Sequence, residues 1–108
     1  EWIKEQAKEK KRFFAYIATN APHAPYHAKE SDAALYRDKV RNEDIVNFFG
    51  MIHNIDENVG RLREQLKNLG IEGETLLVFM NDNGTATGQS VFSAGMRGAK
   101  GTPWLGGT

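Results

Sequence analysis

Two adjacent polar residues, Asp82 and Asn83, could bind a hard divalent cation. They follow an apolar run and precede Gly84, which has no side chain and allows the backbone to turn tightly. Carboxylate and amide oxygens are the ligands that Ca²⁺ and Mg²⁺ prefer in proteins. An Asx turn at the end of a strand also explains the same residues. Two ligands alone do not enclose an ion.

A histidine and a lysine could act on an anionic substrate. His23 lies in a loop that contains prolines, and its imidazole could donate a proton as a general acid. Lys100 lies among glycines that let the backbone approach an anion, and its ammonium could neutralise a sulfate or phosphate oxygen. The residues alone leave a surface histidine and a solvated lysine as open alternatives. His27 and His53 match no motif and receive no functional assignment.

The composition excludes several kinds of chemistry and partner. Fourteen basic and fourteen acidic side chains cancel, so no net charge favours nucleic acid or an anionic membrane. The chain has no cysteine, which excludes disulfides, thiolate metal sites and a cysteine nucleophile. No apolar run approaches the roughly 20 residues that span a bilayer. A hydrophobic fraction of 40% predicts a globular chain with a core.

The hydrophobic pattern predicts the elements that must position these residues. Apolar runs rich in β-formers predict strands over residues 13–19 and 75–81. Apolar residues at three- and four-residue spacing predict a helix over residues 43–69, with Asn42 as its amino-terminal cap and Gly70 at its end. A helix between two strands predicts a crossover connection. The expected fold class is therefore α/β, with a partial parallel sheet and a long crossover helix.

The loops beside these elements carry the candidate site. Residues 20–41 contain two of the three prolines and predict a loop that holds His23, and residues 84–108 contain seven of the eleven glycines and predict a loop that holds Lys100. In open parallel sheets, ligands bind beyond the carboxyl ends of the strands. His23 and the Asp82-Asn83 pair are therefore expected at one edge of the sheet.

Four ordered blocks of the sequence resemble the sulfatase family of the alkaline phosphatase superfamily. The resemblance covers nearly the whole chain, and its blocks are residues 13–25, 55–62, 81–84 and 96–108. Residues 97–107 are close to a family signature. The resemblance implies that residues 1–108 are a single fragment of a sulfatase catalytic domain, taken from a three-layer α/β/α fold of the alkaline phosphatase type.

The resemblance also implies roles for the candidate residues. Asp82 and Asn83 match the second half of the family's divalent metal site, which usually holds calcium, with magnesium as the alternative. His23 matches the histidine that assists departure of the ester oxygen, and Lys100 matches the lysine that contacts the sulfate and that same oxygen. Each group would act where charge develops during cleavage. The implied substrate is an aryl or carbohydrate sulfate ester, and the implied location is periplasmic, secreted or lysosomal.

The nucleophile that the resemblance implies is not in this chain. Sulfatases use a formylglycine made from the first residue of a Cys- or Ser-x-Pro-x-Arg motif, and the sequence contains no such motif. The chain alone is therefore expected to be an inactive fragment. We also expect it to expose apolar surface and to self-associate in order to cover that surface.

Two departures from the family pattern leave alternatives to a sulfatase. Leu105 stands where the family often has glutamate, and Asn81 stands where serine or threonine is usual. One alternative is a phosphoesterase or phosphonate hydrolase of the same superfamily. Independently of these departures, a further alternative is a non-catalytic interaction domain that binds a partner through its long helix and exposed sheet edges.

Overall fold

The computed structural model describes all residues from 1 to 108, and its regular structure is helical. Helix α1 spans Trp2–Lys8, α2 spans Glu30–Ala33 and α3 spans Glu43–Asn68, and a short 3₁₀ helix follows at Glu72–Glu74. The remaining residues form turns and irregular segments. None of the helices combines the length and the apolar composition that crossing a membrane requires.

The predicted parallel sheet is absent, so the α/β fold class is wrong for this chain. Residues 13–19 and 75–81 form no strands, and no backbone hydrogen bond joins the two segments. Phe14 is 88% exposed and Leu76 is 89% exposed. A β-rich composition favours a half-buried pleated surface, but a strand also needs a neighbour that pairs with its backbone. Neither segment has such a neighbour here, and α3 packs on α2 instead.

Helix α3 begins and ends with side chains and backbone suited to its termini. The Asn42 side-chain oxygen accepts a hydrogen bond from the Ile45 backbone nitrogen at 3.2 Å, which satisfies one of the first free N–H groups. At the other end, Gly70 has a φ of 70°. Its nitrogen donates to the Lys67 oxygen, and the next nitrogen, of Ile71, donates to the Leu66 oxygen. This arrangement is a Schellman motif, which terminates the helix at a left-handed residue.

The core is small and lies where α2 and the loop before α3 pack on α3. Its buried apolar residues are Ala33, Val46, Phe48 and Met51, and Leu66 is buried separately near the carboxyl end of α3. Aromatic rings extend this core along the amino-terminal half of α3. Tyr26 packs edge-on against Phe48, with ring centroids 5.8 Å apart, and Tyr36 stacks on Phe49 at 5.6 Å. Residues 20–41 are therefore held against α3 although they contain little regular structure.

At Gly50, α3 lies in tight contact with α2 and with the residues just before it. A Cβ atom at Gly50 would lie 2.7 Å from the Ala28 Cβ and 3.1 Å from the Ala33 backbone nitrogen. Asn54, one turn further along α3, donates a hydrogen bond to the buried carboxylate of Asp32 at 3.0 Å. At the other glycine inside α3, Gly60, an added Cβ atom would meet nothing within 4 Å. Only Gly50 is therefore needed for helix packing.

Alanine substitution at these two glycines should change stability in opposite directions. Gly50→Ala should lower the free energy of unfolding by about 1–3 kcal/mol, because the new methyl group overlaps Ala28 and the Ala33 backbone. Gly60→Ala should raise it by up to about 1 kcal/mol, because alanine has the better helix propensity and meets nothing. Urea unfolding followed by circular dichroism measures both values. Equal shifts of the same sign would contradict the packing described for Gly50.

Candidate functional site

Asp82 and Asn83 lie in a turn that follows the irregular apolar segment 75–81. The Asp82 side chain is exposed and the Asn83 side chain is half-buried. The Asn83 Nδ2 donates a hydrogen bond to the Asp82 Oδ2 at 2.5 Å. The carboxylate and the amide are therefore hydrogen-bonded to each other, at a distance shorter than the roughly 3 Å that separates two oxygen ligands of one cation.

The two side chains fit a hard divalent cation in donor type but supply only part of its coordination. A half-turn of the Asn83 amide would bring its oxygen to the place of its nitrogen, beside the Asp82 carboxylate. Two oxygens are a minority of the about six to eight ligands that Ca²⁺ takes, and Mg²⁺ takes about six. Complete coordination would therefore need oxygens from other groups or from water.

The loop that carries Lys100 folds back onto this turn. The Lys100 backbone nitrogen donates to the Thr85 oxygen at 2.8 Å, and the Gly84 nitrogen donates to the Gly107 oxygen at 3.2 Å. Gly84 has no room for a side chain, because a Cβ there would overlap the carbonyl group of Gly106. The Lys100 side chain is exposed, and its ammonium forms no hydrogen bond or ion pair within the chain. The backbone thus brings Lys100 next to the Asp82-Asn83 turn and leaves its charge free.

The same loop is closed by contacts of its own. The Arg97 guanidinium lies over the Trp104 ring, 3.8 Å from the ring centroid, which is a cation–π contact. The Gly106 nitrogen donates to the Arg97 oxygen at 2.8 Å. The Thr102 hydroxyl donates to the Ala99 oxygen at 2.8 Å. These bonds define residues 97–107 as one closed loop, which we call the Lys100 loop.

His23 lies in the loop before α2, with an exposed side chain. Its Nδ1 is 2.8 Å from the Ala24 carbonyl oxygen. A carbonyl oxygen can only accept, so Nδ1 must carry the proton of this bond. Nε2 therefore remains available to a ligand, as an acceptor in the neutral ring or as a donor in the imidazolium.

Hydroxyl groups connect the His23 loop to the Asp82-Asn83 turn. The Tyr26 hydroxyl is 2.6 Å from the Thr87 Oγ1, across 61 positions of sequence. The Thr87 nitrogen donates to the Thr85 Oγ1 at 3.1 Å, and the Thr85 carbonyl accepts from the Lys100 nitrogen. No hydrogen bond or ion pair joins the side chains of His23, Asp82 and Lys100 directly. The three segments are therefore linked through hydroxyls and backbone, not through the candidate side chains.

The turn after Asp82 is also fixed to α3. Gly88 is buried with a φ of 83°, and a Cβ there would lie 3.0–3.2 Å from the rings of Phe48 and Phe49. The sequence does not predict the contacts of Tyr26, Thr85, Thr87 and Gly88. Single hydroxyls and glycines in loops carry no periodic signal, and their partners are distant in sequence.

A methyl group at Gly84 should detach the Lys100 loop from the turn. Gly84→Ala places a Cβ against the Gly106 carbonyl, so the Gly84–Gly107 and Thr85–Lys100 hydrogen bonds should open. Amide exchange of Lys100, followed by NMR, should then become at least about tenfold faster. Gly73→Ala is the matched control, because Gly73 has no neighbour within 4 Å. Unchanged protection of Lys100 in Gly84→Ala would show that the loop does not depend on this contact.

Comparison with known proteins identifies the family. The whole chain, residues 1–108, matches the Sulfatase family. N-acetylgalactosamine-6-sulfatase of Sus scrofa is 34% identical over 110 residues, covering 97% of this chain and 18% of that protein. An uncharacterized sulfatase of Escherichia coli, YdeN, is 30% identical over 97 residues, covering 89% of this chain and 17% of that protein. Endo-4-O-sulfatase of Bacteroides thetaiotaomicron is 29% identical over 94 residues, covering 69% of this chain and 18% of that protein.

The chain thus spans less than a fifth of the length of these curated relatives. No solved structure matches it significantly. Since the family match covers every residue and the relatives that match are themselves sulfatases, this chain belongs to the sulfatase family.

Proposed function

We propose that the full-length protein that carries this chain hydrolyses sulfate esters, and that this chain supplies residues that bind the sulfate and assist the leaving group. The observation that carries the proposal is the backbone hydrogen bond between Lys100 and Thr85. It holds a loop with an unpaired ammonium beside a turn with two hard oxygen ligands. An anion that approached this turn would meet the positive charge of a side chain whose backbone is held in place.

Lys100 is proposed to contact the sulfate group. Its ammonium is a compact point charge with three donors and no internal partner. Negative charge on the sulfate oxygens and on the bridging oxygen would be stabilised by this cation as the S–O bond lengthens. The closed backbone of the Lys100 loop supports this role, because only the side chain would have to reorient when the substrate binds.

His23 is proposed to act as the general acid. The hydrogen bond from Nδ1 to the Ala24 carbonyl orients the ring and leaves Nε2 free. In the imidazolium form, Nε2 would give its proton to the bridging oxygen as the alcohol departs, and the ring would become neutral. The alcohol then leaves without a net negative charge.

Asp82 and Asn83 are proposed to hold part of a divalent cation site, with Ca²⁺ as the preferred ion and Mg²⁺ as the alternative. The Asp82 carboxylate and the Asn83 amide oxygen would be the ligands from this chain. When bound, such an ion supplies positive charge that polarises the sulfate oxygens.

The nucleophile is proposed to lie outside this chain. The sequence contains neither a cysteine nor a Ser-x-Pro-x-Arg motif from which formylglycine could be made. The isolated 108-residue chain should therefore not turn over substrate. An aryl or carbohydrate sulfate is the proposed substrate class, since the relatives include an N-acetylgalactosamine-6-sulfatase and an arylsulfatase.

Substitution of the two proposed catalytic residues should separate their roles. In the full-length protein, His23→Ala should lower kcat by about 10²- to 10⁴-fold, and Lys100→Ala should lower it by about 10²- to 10³-fold. The loss in His23→Ala should be larger with a sugar sulfate than with 4-nitrophenyl sulfate, because a phenolate leaves without protonation more easily. His27→Ala is the control, because His27 is exposed, lies in the same segment 20–41 and matches no motif.

Wild-type kcat in both variants would refute the assignment of the two residues. Faster hydrolysis of 4-nitrophenyl phosphate than of the sulfate would refute the sulfate ester specificity and would favour a phosphoesterase.

The isolated chain is also expected to self-associate. Its two irregular apolar segments expose Phe14, Leu76 and neighbouring apolar residues, and contiguous exposed apolar surface favours association. Sedimentation velocity should show dimers or larger species whose share grows with concentration. A Phe14→Ser/Leu76→Ser double variant should shift the distribution toward the monomer. A compact monomer of the wild-type chain at high concentration would contradict this expectation.

A further inference from the structure

Three side chains beside the contact between α2 and α3 form a second group of candidate metal ligands. Asp32 belongs to α2, and His53 and Glu57 lie one turn apart on α3. One ligand atom from each residue lies within 4.8 Å of the other two. The His53 Nε2 and the Glu57 Oε1 are 3.7 Å apart. The group shares no residue with the Asp82-Asn83 turn, and the sequence alone assigns no role to His53.

The Asp32 carboxylate is buried and is held in its orientation by two hydrogen bonds. Asp32 is 6% exposed. Its Oδ2 accepts from the Asn54 Nδ2 at 3.0 Å, and its Oδ1 accepts from the Ser31 hydroxyl at 2.9 Å. These two hydrogen bonds, the Asn54 bond first, lower the pKa of Asp32. The group is therefore a carboxylate at neutral pH, and each oxygen keeps a lone pair for a further ligand.

The charge of the group favours a dication. The two carboxylates carry a charge of about −2, and the cationic groups whose fields act on Asp32 are those of Lys29 and of His53, which is itself a member of the group. An imidazole that binds a metal does so in its neutral form. Because the three ligand atoms lie within 4.8 Å of one another, an ion between them would lie no more than about 2.8 Å from each atom. Zinc–nitrogen and zinc–oxygen bonds are about 2.0–2.2 Å long. Side-chain movements of less than about 1 Å would therefore bring all three ligands to bonding distance.

We propose that Asp32, His53 and Glu57 bind a Zn²⁺-type divalent ion, which joins α2 to the middle of α3. An imidazole ligand selects zinc and related transition metals over Ca²⁺ and Mg²⁺, which prefer oxygen alone. Three protein ligands leave a fourth position for water. Ser31 and Asn54 orient the Asp32 carboxylate, as partners behind metal ligands commonly do.

Direct metal titration of the 108-residue chain tests this site. Calorimetry with Zn²⁺ at neutral pH should show one ion per chain with micromolar affinity, and Co²⁺ should give the visible d–d absorption of a four-coordinate site. His53→Ala and Glu57→Gln should each weaken Zn²⁺ binding by at least about tenfold. Zn²⁺ should raise the Tm of the wild-type chain and leave that of His53→Ala unchanged.

Two control variants keep the result specific. His27→Ala removes a histidine outside the group, and Asp82→Ala removes a ligand of the other proposed site, so both should bind Zn²⁺ like the wild type. Glu57 is exposed, so Glu57→Gln tests the site without disturbing the core. Asp32→Asn would disturb the core, because Asp32 is buried. Zn²⁺ affinity that is unchanged in His53→Ala, or lost in either control, would overturn the proposal. Neither outcome depends on sulfatase activity.

Discussion

The contact between Gly50 and the backbone of α2 is the constraint on which the rest of the structure depends. Because position 50 has no side chain, Ala28 and Ala33 reach the surface of α3 directly. This contact fixes the loop before α2, and Tyr26 then packs on Phe48. The Tyr26 hydroxyl holds Thr87, and the turn that contains Thr87 holds the Lys100 loop. A helix contact is thus transmitted to a loop that is distant in sequence.

The sequence predicts well what depends on neighbours along the chain. Helix α3 spans Glu43–Asn68, where apolar spacing predicts residues 43–69, and its Asn42 cap and Gly70 end are local features as well. The prediction of two strands is wrong because strand pairing depends on contacts between residues distant in the sequence. Residues 13–19 and 75–81 have the composition of strands, but pairing needs a distant partner, and the chain does not bring one to either segment.

The candidate site likewise has residues that the sequence identifies and contacts that it does not predict. His23, Asp82, Asn83 and Lys100 can be selected from motifs, because each stands in a short block of characteristic residues. The geometry that connects their segments rests on hydroxyl groups that carry no such pattern and pair over long separations, those of Tyr26, Thr85 and Thr87.

In the second group of candidate ligands, Asp32, His53 and Glu57, one part is predictable from the sequence and the other is not. The spacing of His53 and Glu57 on one helix face is a local property of the sequence, since residues four apart are neighbours on a helix. The approach of Asp32 is not local, because it requires α2 to lie on Gly50.

The stacking of Arg97 on Trp104 has a consequence for ligand affinity. Glycine-rich chains lose more conformational freedom than others when they become fixed, and a ligand that had to fix them would bind correspondingly more weakly. In this chain the guanidinium, the indole and the bonds across residues 97–107 already hold the loop closed. The entropy of closure is therefore lost once, during folding. An anion that binds Lys100 would have to immobilise only one flexible side chain.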